Sequence, residues 1–298
     1  MEIKNITNQT EMLFEIENFI NTIDLCGKDI LIKPNFVSLD LYPYTTSPVV
    51  LNTIIRCLWQ KGVTRITVAD LPSTDYSSIF NRNITETAEM KNRMNEFHKL
   101  LRNTTNRNDE TRYLESIRRR VECFYDFFFD KLHINDGRII QDVVRLDDTM
   151  DNFHYNEIAT EIDKEISSRI LNISPYLVIN LPVLKLHTTT GFTGAIKNLY
   201  SLFDDTSKLL FHKYKCVCKA LAALYEYLEG IEIYTFLDAR LLPDSQQAIW
   251  GSEKSIVLNT VIHGQELRGI DQAALAVLKE NRVDITTKDP YFIDFLRE

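Results

Sequence analysis

The chain has 298 residues, 34 of them basic and 42 acidic, for a net charge of −8 at pH 7; 44% of it is hydrophobic. That length and apolar content suit one large α/β domain or two small ones, and only nine Gly and eight Pro argue against a disordered chain. With no basic excess to displace counterions, nucleic acid is excluded as a general partner; the polar start MEIKNITNQTEM and the lack of an apolar run near about 20 residues lead us to expect no signal peptide, no membrane span and a soluble cytoplasmic protein.

In chain order, 1–21 reads as a short strand followed by an amphipathic helix with Met12, Phe14, Ile16, Phe19 and Ile20 as its apolar members. Residues 29–32 form a strand after Gly27, and its carboxyl end delivers Lys33-Pro34-Asn35. Pro34 fixes its own φ and keeps Lys33 extended, so Lys33 and Asn35 are rigidly placed. Ser47-Pro48 signals a helix start, with serine as N-cap and proline at the first helical position. The stripe Val50, Ile54, Cys57 and Leu58 follows, and Gly62 ends the helix. Residues 65–69 are the next strand, with Asp70 at its carboxyl end; this β–α–β unit predicts a parallel, right-handed pair.

Residues 73–136 contain neither Gly nor Pro. Met90, Met94, Phe97 and Leu101 recur at helical spacing, as do Leu114, Ile117, Val121, Phe124 and Phe128. A polar cluster, 103–109, separates the two stripes, so we read a helical hairpin inserted into the domain. Such an insertion can serve as a lid, a homo-oligomer contact or the seat of a protein partner. Gly137 marks a turn, 138–144 a strand or hairpin arm, and 157–170 a charged helix.

The stretch 176–203, YLVINLPVLKLHTTTGFTGAIKNLYSLF, is the one around which the chain is organised. An apolar strand leads to Lys185 and His187, a threonine–glycine loop spans 188–194, and a helix from Ala195 carries Lys197 and Asn198. Ligands of open α/β sheets sit beyond the carboxyl ends of strands, against helix N-termini that favour anions. Downstream, 209–229 reads as helical and holds His212; 232–237 is a strand ending at Asp238; 255–261 is another strand; and 269–280 is the last main helix, with Asp271 near its start. Alternating strands and helices predict a single α/β domain over 1–298, a three-layer sandwich with a mainly parallel sheet and the inserted hairpin at 73–136.

Several of these segments resemble an uncharacterised family, domain-of-unknown-function family 362. LPVLKLH followed by TGAIKN is similar to its signature, LIKPNFVS with the segment 45–70 to its N-terminal block, and HGQELRGIDQAALAVL at 263–278 to its C-terminal block. The resemblance covers most of the chain except about 73–151. It implies an acid at Glu266, an aspartate at Asp271 and a histidine near His212. Some members carry an iron–sulfur module. Here the five cysteines, Cys26, Cys57, Cys123, Cys216 and Cys218, are scattered without a Cys-x-x-Cys pair, so we expect reduced structural thiols and no iron–sulfur cluster.

The candidate catalytic residues are Lys185, His187 and Lys33. The candidate substrate-binding residues are Asn35, Asp70, Lys197, Asn198, His212, Asp238 and Asp271. Lysines can neutralise a phosphate or carboxylate as point charges, and a lysine in a dry site can become a base or an amine nucleophile. His187 suits acid–base work near neutral pH, and the asparagines suit a carbonyl or oxyanion. No dinucleotide fingerprint, Walker motif, nucleophile elbow or zincin motif is present. A divalent metal on Asp70, Asp238 and His187 is an alternative. We therefore expect an enzyme acting on a small anionic metabolite by lysine/histidine acid–base or addition chemistry. The alternatives are a non-catalytic ligand-binding or cofactor-assembly protein, and an assembly subunit that binds a partner through its insert.

Overall fold

The computed structural model describes residues 1–35, 42–68, 139–140, 176–202, 217–243 and 255–297. Two apolar tetrapeptides set its centre. Strands Ile30–Lys33 and Leu177–Asn180 run parallel, with Ile30 opposite Leu177 and Lys33 opposite Asn180, and every residue of both is buried. Alternation sends Ile30, Ile32, Leu177 and Ile179 to one face and Leu31 and Val178 to the other. Apolar residues on both faces are what a parallel strand covered by helices on each side requires.

In chain order the strands are β1 (Glu2–Asn5), β2 (Ile30–Lys33), β3 (Ile66–Val68), β4 (Ile139–Ile140), β5 (Leu177–Asn180), β6 (Lys185–His187), β7 (Gly191–Thr193), β8 (Ile233–Pro243) and β9 (Ser255–Gly264). The main sheet has the order β1-β9-β8-β5-β2-β3-β4. Strands β8, β5, β2, β3 and β4 are mutually parallel, while β8–β9 and β9–β1 pair antiparallel.

Helices α1 (Gln9–Asn21) and α2 (Pro48–Gln60) cover one face through Met12, Ile16, Phe19, Ile54 and Leu58. Helices α3 (Ala195–Asn198, continued by a 3-10 turn, Leu199–Leu202), α4 (Val217–Tyr227), α5 (Leu267–Glu280) and α6 (Tyr291–Arg297) cover the other, through Ile196, Leu221, Ile270 and Phe292. The result is the three-layer α/β architecture that the strand and helix alternation predicts. Burying each such Ile, Leu or Phe side chain contributes about 2 kcal/mol.

Local signals explain the helix ends. Asn8 caps α1, its Oδ1 accepting from Glu11 N at 3.0 Å while Glu11 Oε2 accepts from Thr7 N at 2.7 Å. Ser47 is the extended N-cap residue of α2, although its side chain makes no capping bond. Gly62, at φ 82°, turns the chain out of α2.

The structure departs from the sequence reading at two described places. Residues 188–194 are not a simple loop: β6 and β7 form an antiparallel hairpin, with Lys185 opposite Thr193 and His187 opposite Gly191. Gly191 at φ 82° reverses the chain, and His187 Nδ1 accepts from Thr189 N at 3.2 Å and Thr190 N at 3.3 Å. The strand read over 232–237 extends to Pro243, because β9 pairs with it along that length. Asp238 therefore lies within a strand and not at a strand end.

The inserted hairpin at 73–136 lies outside the described residues, as do the charged helix at 157–170 and the first part of the helix read over 209–229. Among the described residues, no helix is long and apolar enough to cross a membrane.

Candidate functional site

One register row of the sheet sets the site. Lys33 of β2, Asn180 of β5 and Thr235 of β8 are direct partners across three parallel strands. Asn180 and Lys33 follow the alternation that sends Val178 and Leu31 toward the α3 face. This row stands near the carboxyl ends of β2 and β5, where open α/β sheets hold ligands.

A hydrogen-bonded network runs out from the row. Asn180 Nδ2 donates to Thr235 Oγ1 at 3.2 Å and to the Ala195 carbonyl at 3.1 Å. Asn180 Oδ1 accepts from Asn198 Nδ2 at 2.8 Å, which also approaches the carbonyls of Lys33 (3.3 Å) and Pro34 (3.4 Å). Asn198 Oδ1 accepts from Asn35 Nδ2 at 2.7 Å, and Asn35 Oδ1 accepts from Lys185 Nζ at 2.8 Å. Lys185 Nζ also donates to the Tyr44 carbonyl at 2.7 Å, and Lys33 Nζ to the Pro34 carbonyl at 2.6 Å. Asn35, Asn180 and Asn198 are buried. An amide has one acceptor and one donor end, so three in series fix one direction of donation, from the Lys185 ammonium to the β8 hydroxyl.

The segment before α2 forms one wall. Thr46 Oγ1 accepts from Asn35 N at 2.7 Å and donates to the Leu181 carbonyl at 2.9 Å, while Thr46 N donates to the Asn35 carbonyl. Two residues earlier, the Tyr44 carbonyl holds Lys185. Farther back, the Tyr42 hydroxyl lies 3.3 Å from Asp238 Oδ1, and burial pushes that hydroxyl well above its ordinary pKa. The 42–46 segment is thus tied to β8 at one end and to β5 and β6 at the other.

The structure brings together Lys33, Asn35, Lys185 and Asn198 from the sequence candidates. His187 lies two residues beyond Lys185 on the same side of β6, and its Nδ1 accepts the turn's N–H groups. Lys197 is half-buried and stands over the Tyr200 ring, 5.1 Å from its centroid. Asp238 is gripped by Arg240, with Nε 2.9 Å from Oδ1 and Nη2 2.7 Å from Oδ2. This fork-on-carboxylate pairing engages both Asp238 oxygens. Asp70 and His212 lie outside the described residues.

Asp271 takes a different place from that of a substrate ligand. It is fully buried on α5, and its carboxylate accepts from Ala195 N and from Ile196 N, the latter at 3.1 Å. Burial pushes its pKa up to about 7, against the two backbone N–H groups, which lower it. Those N–H groups are the start of α3, where the sequence led us to expect an anion. A carboxylate of the protein already occupies that position.

Among the described residues, Glu2, Glu15 and His263 have one ligand atom each within 4.8 Å of one another. His263 Nε2 lies 2.6 Å from Glu15 Oε1, and Glu2 pairs with Lys4 at 2.6 Å, so each of the three has a protein partner.

Sequence reasoning missed Asn180, Thr235, Thr46 and Arg240. Asn180 carried a usable signal, because it is the polar residue in the otherwise apolar run YLVINLPVL. Thr235 and Arg240 carried none, since nothing in the sequence tells which strand lies beside β5.

The fold and site define a three-layer α/β protein with two lysines and three asparagines gathered near the carboxyl edge of its parallel strands. Residues 139–276 match the family model described as "Domain of unknown function (DUF362)", and the chain resembles that family. A crystal structure of a Thermotoga maritima protein, a structural genomics target, is 10% identical; the alignment covers 94% of this chain and 61% of that one, with a TM-score of 0.45. This chain thus spans about three-fifths of that protein's length. Curated proteins gave no match to the sequence.

Proposed function

We propose that the Lys33–Asn35–Lys185–Asn198 cluster binds a small anionic metabolite, a carboxylate or a phosphate. The observation that carries this reading is the seating of Lys185: its ammonium is fixed by the Asn35 amide oxygen and the Tyr44 carbonyl at the end of the asparagine relay. These two acceptors are neutral: they orient the ammonium toward the cluster and do not themselves cancel its charge. The Tyr44 hydroxyl adds support. It is buried with no hydrogen-bond partner among the described residues, and a ligand oxygen would satisfy it.

In this reading Lys33 and Lys185 neutralise the anion, and His187, on the Lys185 side of β6, moves a proton. The reaction is acid–base or addition chemistry in a cytoplasmic protein, and no iron–sulfur cluster enters it. A second reading, ligand binding without turnover, also has an observation behind it. The Asn35 amide oxygen and the Tyr44 carbonyl that hold Lys185 are acceptors, which suit an ammonium that anchors charge more than a neutral amine that attacks.

A thermal-shift screen of small carboxylates and phosphate esters tests the proposal. At least one compound should raise the melting temperature of the wild type and not that of Lys185→Met. Turnover of that compound, lost in Lys185→Met or His187→Ala, selects catalysis; saturable binding without turnover selects the second reading. A screen in which no anion distinguishes wild type from Lys185→Met removes the proposal.

A further inference from the structure

Asp271 lies 76 residues from Ala195 in sequence, on a different helix, yet its two carboxylate oxygens take the first two amides of α3. The contact leaves no space: a Cβ at Gly194 would stand 2.1 Å from Asp271 Oδ1. Gly194 has φ −135°, which is no left-handed conformation, so the absence of a side chain there is required by Asp271 and not by the backbone.

From α3 the contacts continue without a break. Asn198 N donates back to the Gly194 carbonyl at 3.1 Å. The Ala195 carbonyl accepts from Asn180 at 3.1 Å, and the Asn198 side chain bonds Asn180 and Asn35. Asn35 in turn holds Lys185. Five hydrogen-bonded links, through Ala195, Asn180, Asn198 and Asn35, join a buried acid on α5 to the ammonium proposed above to meet the anion.

We propose that Asp271 is the positioning residue of the site: by clamping the start of α3 it sets where Asn198 stands, and through Asn198 and Asn35 where Lys185 stands. This rests on the anion-site reading for its functional consequence. The clamp itself is independent of that reading. The helix is a single turn, too short to hold its own shape in water, so its geometry has to be imposed from outside. A carboxylate suits the task because it has acceptors for both amides and no donor to oppose them. An asparagine keeps the shape but points an N–H at one of the two donors.

The same assignment explains why the helix start does not serve as an anion cradle. Its first two N–H groups are spoken for by Asp271, which leaves the lysine cluster as the place for an external anion. Networks of packed, hydrogen-bonded groups carry coupling of this kind between sites.

Two variants attack the contact from opposite sides. Asp271→Asn removes one acceptor, and Gly194→Ala drives a methyl group into the carboxylate. A third, Leu275→Ala, opens a cavity one turn along the same helix while leaving Asp271 and Gly194 themselves unaltered, and serves as a control for plain destabilisation. Each is compared with wild type by hydrogen–deuterium exchange over 194–202 and by calorimetric titration with inorganic phosphate. The proposal expects faster exchange over 194–202 in Asp271→Asn and Gly194→Ala, with strands β1 and β9 unchanged, and phosphate affinity reduced about tenfold in both. Leu275→Ala should keep wild-type phosphate affinity. If one clamp variant fails to fold, the other decides.

Wild-type exchange over 194–202 in a folded clamp variant overturns the proposal, and so does an equal loss of phosphate affinity in Leu275→Ala. A wild type that takes up no phosphate, with exchange still accelerated in the clamp variants, defeats the anion-site reading and leaves the clamp standing.

Discussion

Asn35 and Asn198, 163 residues apart in sequence, meet amide to amide: Asn35 Nδ2 donates to Asn198 Oδ1 at 2.7 Å. Each then uses its other end in the opposite sense, Asn35 Oδ1 toward Lys185 and Asn198 Nδ2 toward Asn180. The pair joins the end of β2 to α3 and fixes the direction of every bond in the relay.

Replacing Asn198 therefore tests the relay. Asn198→Ala strands Asn35 Nδ2 and Asn180 Oδ1 in a buried setting, and each stranded group costs about 1–3 kcal/mol. Urea unfolding should show a loss of about 3 kcal/mol. Asn198→Asp should be worse at neutral pH, because a carboxylate cannot donate to Asn180 Oδ1 or to the Lys33 and Pro34 carbonyls. A loss under about 0.5 kcal/mol for Asn198→Ala, the size of an ordinary surface change, would show that the relay is not a coupled unit.

Asp271 gives a signed pH dependence. Its carboxyl is pushed up to about 7 in the folded chain, chiefly by burial, from an ordinary value of 3.8. The folded state thus holds this proton more tightly than the unfolded state, and stability from this group falls as pH rises from about 4 to about 7. Melting temperatures of wild type and Asp271→Asn, taken across pH 4.5 to 8 at fixed ionic strength, isolate the effect by difference. The wild type should lose ground relative to the variant as pH rises toward 7. A constant offset between the two curves would rule out a titrating Asp271.

Asp238 and Arg240 should behave as a structural pair. Asp238 is buried, and the Arg240 fork satisfies both of its oxygens. Arg240→Ala leaves a buried carboxylate without its cation, a change that typically costs about 3–5 kcal/mol. Tyr42→Phe removes a single hydroxyl contact of 3.3 Å and should cost no more than about 1 kcal/mol. Chemical denaturation of the two variants gives the ranking, and Tyr42→Phe costing as much as Arg240→Ala would contradict it.

His187 has a role in the turn that its sequence position hid. An asparagine can supply an acceptor oxygen to backbone amides in much the same way as the imidazole nitrogen does. His187→Asn should therefore keep most of the stability that His187→Ala loses, about 1 kcal/mol of hydrogen bonding, measured by melting temperature. If both variants melt together, Nδ1 is not supporting the β6–β7 hairpin.

The fold was legible where periodicity is strong. Runs such as ILIK and LVIN read as strands of a mainly parallel sheet, although nothing in them shows that the two lie side by side, and the Met12–Phe19 stripe read as α1. Asn35, Asn198 and the two lysines were legible as chemistry, because polar groups directly after apolar strands have few reasons to be there. The relay between them was not, since a hydrogen bond across 163 residues leaves no local pattern. Asp271 shows the limit most clearly. A carboxylate near the start of a helix is favourable on dipole grounds alone, and only the packing of α5 against α3 reveals that it caps a different helix from its own. The hairpin at 185–193 was hidden by its threonines, which suit a loop and a strand equally well.

The most direct test of the central claim is calorimetric titration of wild type and Lys185→Met with inorganic phosphate in a low-salt buffer. Methionine keeps the length of the side chain and removes the charge. It also leaves Asn35 Oδ1 and the Tyr44 carbonyl without their donor, so a lowered melting temperature is expected and does not bear on the claim. The account predicts saturable binding to folded wild type and at least about a tenfold loss in folded Lys185→Met, the scale of one charge-assisted hydrogen bond. Equal phosphate affinity in the two proteins, or no saturable binding to wild type, would contradict it.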